Sequence, residues 1–207
     1  MRKIFLFLLA LAAMAVSAQD IVLIAPETDK GCNVMEAFTH RRSTREFDTK
    51  ELSLQDMSNL LWATMGINSD DRRLTAPSCR NKQEIRLFVV TGKGAYEYMP
   101  TSHILRHITD GDFRPVIAGE QTFVNDAPIC LVMVADMDKF GSTDKRAMTM
   151  AAVDAGIVIE NACLAAAGLG LATVPRASMD SKRLQQLLGL NENQIPLMNA
   201  PVGYFTK

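Results

Sequence analysis

Hydrophobic and polar positions recur with different periods along the chain, and each period predicts a type of element. Apolar residues keep helical spacing in 33–40 and 54–65 and fill nearly every position of 145–167, so these segments are predicted helices. Ser53 followed by Asp56 resembles a capping box at the start of the second helix. A helix that is apolar on nearly all sides, as 145–167 is, is expected in a core or a subunit interface.

Other segments have the composition of strands. Residues 85–91 alternate and are rich in β-forming residues, and 129–135 is a continuous apolar run that suits a central strand. Further strands are predicted at 95–98, 171–174 and 196–205, and shorter helices at 113–124 and 181–188. Because strands and helices do not alternate regularly, the predicted class is α+β, with one sheet and helices packed on it.

The first 18 residues have the pattern of an export signal. Arg2 and Lys3 precede an unbroken apolar run, Ile4–Val16, and small residues follow it. This run is shorter than a membrane span, so a membrane anchor is the less favoured alternative. We therefore predict a signal peptide at 1–18, a single domain at 19–207 that does not enter the membrane after cleavage, and export to the bacterial periplasm or the medium.

Charge and cysteine usage exclude some classes of function. The whole chain has a formal net charge of −1, and removing Arg2 and Lys3 makes it more acidic, which argues against a nucleic-acid binder. The four cysteines show no disulfide scaffold and no metal pattern, although a bond between Cys32 and Cys79 stays open.

The histidines offer one possible metal pair. His103 and His107 are four residues apart and could share a helix face as metal ligands. No third ligand lies at a useful spacing, so a surface pair is favoured and no metal is expected.

Three polar segments have no obvious structural role. Arg41-Arg42-Ser43-Thr44-Arg45 places three guanidinium groups and two hydroxyls within five residues, a donor set suited to phosphate; the alternative is a solvated basic turn. Segment 77–83 carries amides that could read a heteroaromatic edge, or it is an ordinary polar loop. In 174–178 the backbone, rather than the side chains, is expected to matter. Serine hydrolase, zinc protease and phosphate-loop motifs are absent from the sequence.

These segments occur in order with further short motifs. The motifs include Leu60–Asn68, Gly111–Arg114, Asp126–Pro128, Asp154–Gly156 and Leu169–Leu171. Over about 33–205 the chain resembles the FMN-dependent nitroreductase superfamily, most closely its SagB-type dehydrogenase branch. The resemblance implies a nitroreductase-like fold with a central, mostly antiparallel sheet flanked by helices. It also implies a homodimer that has the long helix at its interface and binds FMN across the two subunits.

The resemblance further implies which residues bind the cofactor. The phosphate and ribityl chain would contact Arg41, Ser43 and Arg45, with Arg42 close by. The flavin would be reached from the other subunit by Pro77, Ser78, Cys79, Asn81 and Gln83. The pyrimidine ring would lie near Gln121, with Glu120 as the alternative. The flavin edge, including the nitrogen that accepts hydride, would lie near the backbone of Pro175, Arg176 and Ala177. The family usually completes its phosphate site with a basic residue after a Gly-Tyr pair, a role that only Lys207 could fill here.

The implied activity is ping-pong hydride transfer through FMN. The donor would be NAD(P)H or another reductant, and the acceptor a nitroaromatic or quinone-like small molecule. No catalytic side chain is required, because the flavin carries the chemistry. Two alternatives stay open: a SagB-like dehydrogenase or oxidase of a peptide or small-molecule ring, and a flavin-binding protein without turnover. Export would separate the protein from cytoplasmic nicotinamides, so the donor is undetermined.

Overall fold

The computed structural model describes residues 19–206, whose strands form one seven-stranded antiparallel sheet. The strands are β1 (Ile21–Val22), β2 (Ile85–Thr91), β3 (Gly94–Met99), β4 (Ile104–Asp110), β5 (Ile129–Asp136), β6 (Leu171–Thr173) and β7 (Gln194–Tyr204). Their order across the sheet is β1-β4-β3-β2-β5-β7-β6, and every neighbouring pair is antiparallel. The predicted α+β class is therefore confirmed. The predicted signal peptide and Lys207 lie outside the described residues.

Six α-helices accompany this sheet in the described part of the chain. They are α1 (Val34–His40), α2 (Leu54–Met65), α3 (Arg114–Ala118), α4 (Met137–Phe140), α5 (Lys145–Gly168) and α6 (Ser181–Leu187). The predicted cap of α2 is present, since the Ser53 hydroxyl accepts a hydrogen bond from the Asp56 N–H at 3.0 Å.

The core lies on both faces of β2 and β5. Leu87 and Leu131 point to the face covered by α5, whereas Phe88 and Val132 point to the opposite face, with Ile117 of α3. Since both faces of the two central strands are buried, these strands read as nearly continuous apolar runs in the sequence. The face that carries α5 also holds α1 and α2, so the longest helix is the centre of this layer.

Helix α5 leaves one stripe of its surface uncovered. Ala152, Val153 and Glu160 are exposed, and a Cβ placed on Gly156 would meet no atom within 4 Å. By length and composition α5 could cross a membrane, a test that the core helix of a folded domain also passes, and 44% of its most apolar stretch is buried inside the fold. The uncovered stripe is therefore a surface feature of a helix that is otherwise packed.

Four elements differ from the sequence-based expectation, among them the short β1 and α4, which were not predicted. The sequence pattern predicts one helix over 113–124, but α3 ends at Ala118 because Gly119, with a φ of 54°, breaks the helix, and a separate 3₁₀ turn covers Thr122–Asp126. Strand β4 was not predicted, because its polar residues hide the apolar alternation. One of them, Arg106, forms an ion pair with Glu97 of β3, an interaction between distant positions that no local pattern reveals.

Candidate functional site

The basic turn 41–45 is held by its backbone. It follows α1, whose last turn is closed by the Arg41 N–H donating to the Ala37 carbonyl at 2.8 Å. The Thr44 N–H donates to the Thr173 carbonyl at the end of β6 at 2.9 Å. The turn is thus attached at one end to a helix and in its middle to the sheet, which limits its movement.

The charged side chains of this turn have no acidic partners in the described part of the chain. Within residues 19–206, the guanidinium groups of Arg41, Arg42 and Arg45 form no ion pair and no hydrogen bond. The Arg42 guanidinium lies 5.9 Å from the centre of the Phe205 ring, which brings the end of the described chain beside the turn. Three unpaired guanidinium groups on a fixed backbone are a donor set that fits a phosphate dianion.

The segment after β6 lies beside the turn, but its arginine points inward. Arg176 is only 6% exposed. Its guanidinium donates to Asn199 Oδ1 at 2.6 Å and to the carbonyls of Ile117 and Ala118 at 3.2–3.3 Å. Burial lowers the pKa of this group. The Arg176 side chain therefore joins α3 to β7 and does not present its charge to a ligand.

Gln121 and the 175–177 backbone meet through this same arginine. Arg176 Nε donates to Gln121 Oε1 at 2.9 Å, so two predicted site segments are brought together. The backbone N–H of Arg176 donates to the Asn199 carbonyl at 2.8 Å, and Pro175 has no N–H to offer. Of the three residues 175–177, only Ala177 has a backbone N–H that lacks a hydrogen-bond partner in the described chain.

The loop 77–83 has a strained backbone. Arg80, Asn81 and Gln83 adopt positive φ values of 54°, 54° and 48°, a conformation that costs about 1–2 kcal/mol for each side-chain-bearing residue. Ser78 Oγ accepts the Gln83 N–H at 2.8 Å, and Gln83 Nε2 donates to Asn81 Oδ1 at 3.1 Å. Strain of this kind persists where the surrounding structure enforces it, which is common at ligand sites.

A buried carboxyl pair lies beneath this loop. The Cys79 N–H donates to Asp154 Oδ2 of α5 at 2.7 Å. Glu84 is fully buried, and neither of its carboxyl oxygens has a donor among the described groups. Burial, followed by the neighbouring Asp154 carboxyl, raises the pKa of Glu84 to about 7. Sequence reasoning gave Glu84 no role; its only signal was a charged residue at the start of an apolar strand.

The predicted site residues form two separate groups within one chain. The turn at 41–45 lies near the C-terminal half of α5, where Arg41 is close enough to influence the Cys163 thiol. Gln121 and the 175–177 segment are joined to each other and to the turn's side of the sheet through Arg176 and Thr173. The loop 77–83 is attached at Asp154 in the N-terminal half of α5. Asp154 and Cys163 are nine positions apart on this helix, a rise of about 14 Å. A single chain therefore does not bring all the predicted residues to one place.

The cysteines and histidines have other environments. All four cysteines are free, so the possible Cys32–Cys79 bond is absent. His103 contacts the Tyr98 hydroxyl, whereas His107 contacts Asp110, so these two histidines do not form a shared metal site. Burial lowers the pKa of His103.

One other group could in principle hold a metal ion. Ligand atoms of Cys32, Glu36 and His40 lie within 4.8 Å of one another along α1. The Glu36 and His40 side chains are exposed, and none of the three residues is among the buried polar groups without a partner in the described chain. Nothing in the described residues therefore marks this cluster as a formed metal site.

Comparisons with known proteins agree with this architecture. Residues 38–204 match the model of the Nitroreductase family. A protein of Methanocaldococcus jannaschii whose name assigns it to the nitroreductases is 30% identical over 176 residues, covering 79% of this chain and 86% of the relative. A crystal structure from Ralstonia eutropha described as a nitroreductase superimposes with a TM-score of 0.86 at 34% identity, covering 94% and 93% of the two chains.

The chain belongs to the Nitroreductase family. Its fold is the nitroreductase fold, as the resemblance implied, and the protein is an oxidoreductase. An FMN reductase (NAD(P)H) of Bacillus subtilis is 23% identical over 186 residues, covering 83% of this chain and 65% of that protein. The family and this relative together suggest a flavin cofactor.

Proposed function

We propose that this protein is an FMN-dependent oxidoreductase of the nitroreductase type. The observation that carries the proposal is the basic turn, which holds three unpaired guanidinium groups on a backbone tied to α1 and β6. FMN differs from riboflavin by a phosphate, and this donor set fits that group. The adjacent Ala177 N–H and the Gln121 amide are polar groups of the kind that bind a flavin ring edge.

When bound, FMN supplies two-electron hydride chemistry between a donor and an acceptor. The chain's own groups then bind and orient it. Arg41, Arg42 and Arg45, with the Ser43 hydroxyl, neutralise and hold the phosphate. The unpaired Ala177 N–H is available as a donor toward the ring. The Arg176 side chain forms hydrogen bonds only within the protein. Its proposed role is therefore to hold the backbone of 175–177 against Asn199.

We propose a homodimer as the working form. The stripe on α5 centred on Gly156 lets a second copy of the helix approach closely in a two-fold arrangement. In an antiparallel crossing at Gly156, residue 163 of one helix faces residue 149 of the other. Arg41, which lies near Cys163, would then face the partner's Asp154 region, where loop 77–83 is attached. Each site would take its phosphate anchor from one subunit and its loop from the other.

The narrower expectations remain predictions. They are the SagB-like activity on a peptide or small-molecule ring, the absence of turnover, the identity of donor and acceptor, and export behind a signal peptide. Lys207 as part of the phosphate site is also a prediction. It is consistent with Phe205 lying beside Arg42.

The proposal is tested by purifying residues 19–207 and recording the visible spectrum before and after adding FMN. We expect flavin absorbance and its bleaching under anaerobic conditions by NADH, NADPH or dithionite, followed by reoxidation with a nitroaromatic or a quinone. Arg45→Ala should weaken FMN binding about tenfold or more, since a hydrogen bond to a charged group contributes about 1.5–3 kcal/mol. Arg183→Ala is the matched control, because Arg183 is an exposed arginine on α6 whose side chain has no partner in the described chain. Absence of FMN binding in the unmodified protein would refute the proposal.

A further inference from the structure

Glu84 is in an environment that a charged carboxylate does not tolerate. It is fully buried, and within residues 19–206 neither of its carboxyl oxygens receives a hydrogen bond. An ionised carboxylate without donors carries a large desolvation penalty, so such a group takes up a proton. The proton must then be donated to an acceptor within reach.

Asp154 is the carboxyl group that neighbours Glu84 and can accept this proton. Its side chain is 4% exposed, and its proximity contributes to raising the pKa of Glu84. Asp154 Oδ2 also accepts the Cys79 N–H at 2.7 Å. Two adjacent buried carboxyl groups do not both ionise readily, and a single shared proton satisfies the pair. The protonated pair is thus connected directly to the backbone of loop 77–83.

We propose that one proton shared by Glu84 and Asp154 holds loop 77–83 in the conformation that faces the flavin, and that loss of this proton releases the loop. Both residues act as positioning residues, because they reach the site through the Cys79 backbone. The part of the proposal that concerns flavin rests on the proposed function. The part that concerns the loop does not.

Because the backbone of loop 77–83 is strained, the loop can have two states, one held and one released. Arg80, Asn81 and Gln83 have positive φ values in the held loop, so release of the anchor would let these residues relax. At the other end of the loop, Lys139 Nζ donates to the Gln83 carbonyl. The loop therefore has one anchor that depends on the carboxyl proton and one that does not.

The charges around Glu84 set the pH at which the anchor fails. Burial and then Asp154 raise the pKa of Glu84 to about 7, while the backbone of Glu84 and, to a smaller extent, Lys139 of α4 act in the opposite direction. Because this pKa is raised above the ordinary value of 4.5, the proton favours the held loop at low pH and is lost as pH rises through 7. The protonated fraction falls about tenfold between pH 6 and pH 8 for a group with this pKa.

Hydrogen–deuterium exchange of segment 77–83 in flavin-free protein is the primary test. The unmodified protein, Glu84→Gln and Glu192→Gln are compared at pH 6 and again at pH 8, so that intrinsic exchange rates cancel at each pH. The amide that Glu84→Gln introduces can still donate to Asp154 and cannot ionise. We expect equal exchange at pH 6 and about tenfold faster exchange of this segment at pH 8 in the unmodified protein than in Glu84→Gln. The exposed Glu192 is a control carboxyl, so Glu192→Gln should behave as the unmodified protein does.

FMN affinity across the same pH range is the second readout. The dissociation constant of the unmodified protein should rise about tenfold from pH 6 to pH 8 and stay nearly constant for Glu84→Gln. If FMN binds at neither pH, the proposed function fails, while the exchange data still decide whether the carboxyl pair holds the loop. Equal exchange of the unmodified protein and Glu84→Gln at pH 8 would overturn the proposal.

A variant that fails to fold does not remove the test. In that case exchange of 77–83 in the unmodified protein is compared with exchange of strand β4 over the same pH values. The infrared absorption of a protonated carboxyl is followed in parallel. Loss of that absorption near pH 7 together with selective opening of the loop supports the proposal. A closed loop after its loss, or no such absorption at pH 6, refutes it.

Discussion

The turn 41–45 is held by backbone hydrogen bonds, and its charged side chains have no partners within residues 19–206. In the loop 77–83, by contrast, the side chains form hydrogen bonds that stabilise the loop itself. In the turn, Thr44 is tied to Thr173 while the neighbouring guanidinium groups stay available. In the loop, Ser78 and Gln83 bond within the segment, and both N–H groups of the Gln83 amide are used, toward Asn81 and Arg72. The turn 41–45 is therefore suited to bind a ligand group through charge. The loop 77–83 is suited to contact a flat ligand surface through its shape and through backbone groups that form no internal hydrogen bond.

The largest expected effect separates phosphate binding from ring binding. The double variant Arg41→Ala/Arg45→Ala should weaken FMN binding about a thousandfold, since two charge-assisted interactions contribute about 4 kcal/mol together. Riboflavin binding should stay unchanged, because riboflavin has no phosphate. Calorimetric titration with both ligands measures this, and the melting temperature should not move. Equal losses for FMN and riboflavin would show that the turn does not bind phosphate.

The second-largest expected effect tests whether dimer formation brings the turn 41–45 of one subunit and the loop 77–83 of the other together. Gly156→Arg should convert the proposed dimer to a monomer and weaken FMN binding on the order of a hundredfold, because two or three hydrogen bonds from the partner's loop are lost. The protomer should remain folded, since a side chain on Gly156 points into open space. Sedimentation velocity and FMN titration measure the two results. Gln186→Arg on exposed α6 is the control, and a dimeric Gly156→Arg with normal FMN affinity would contradict the arrangement.

A third variant removes the anchor of the loop. Asp154→Ala leaves the partly buried Cys79 N–H and the Glu84 carboxyl without a partner, at a cost of about 2 kcal/mol in the free energy of unfolding. FMN and riboflavin binding should weaken to the same extent, about tenfold, because the loop is proposed to contact the flavin ring and not the phosphate. Urea unfolding and parallel titrations check both numbers. A selective loss of FMN would contradict the distinction between the two regions.

The smallest expected effect concerns the backbone strain at Arg80 and its contribution to the free energy of unfolding. Arg80→Gly should raise the free energy of unfolding by about 0.5 kcal/mol, because relief of the positive φ slightly exceeds the added entropy of the unfolded chain. Arg183→Gly, in the interior of α6, should instead lower it by about 1 kcal/mol. Thermal unfolding of both variants makes the comparison. A loss of stability in Arg80→Gly would show that the Arg80 side chain stabilises the loop.

Sequence patterns predicted the elements whose signals are local. The two central strands, the α2 cap at Ser53 and the long helix follow from period and capping residues. Strand β4 and the break at Gly119 were missed, since both depend on pairing or backbone conformation that no short window contains. For the candidate site, the cluster at 41–45 could be recognised because its five residues are consecutive. The inward direction of Arg176 could not, because its partners come from α3 and β7.

The sequence by itself determined the α+β class, the buried long helix, the family resemblance and a donor set suited to phosphate. These depend on spacing within one segment, where helix and strand periods and side-chain chemistry suffice. Only the tertiary structure decided that the turn 41–45 and the loop 77–83 lie beside different halves of α5, that Glu84 neighbours Asp154 beneath the loop, and that Arg176 is a structural link. Such contacts join residues dozens of positions apart, and the packing of α5 on the sheet sets which of them meet.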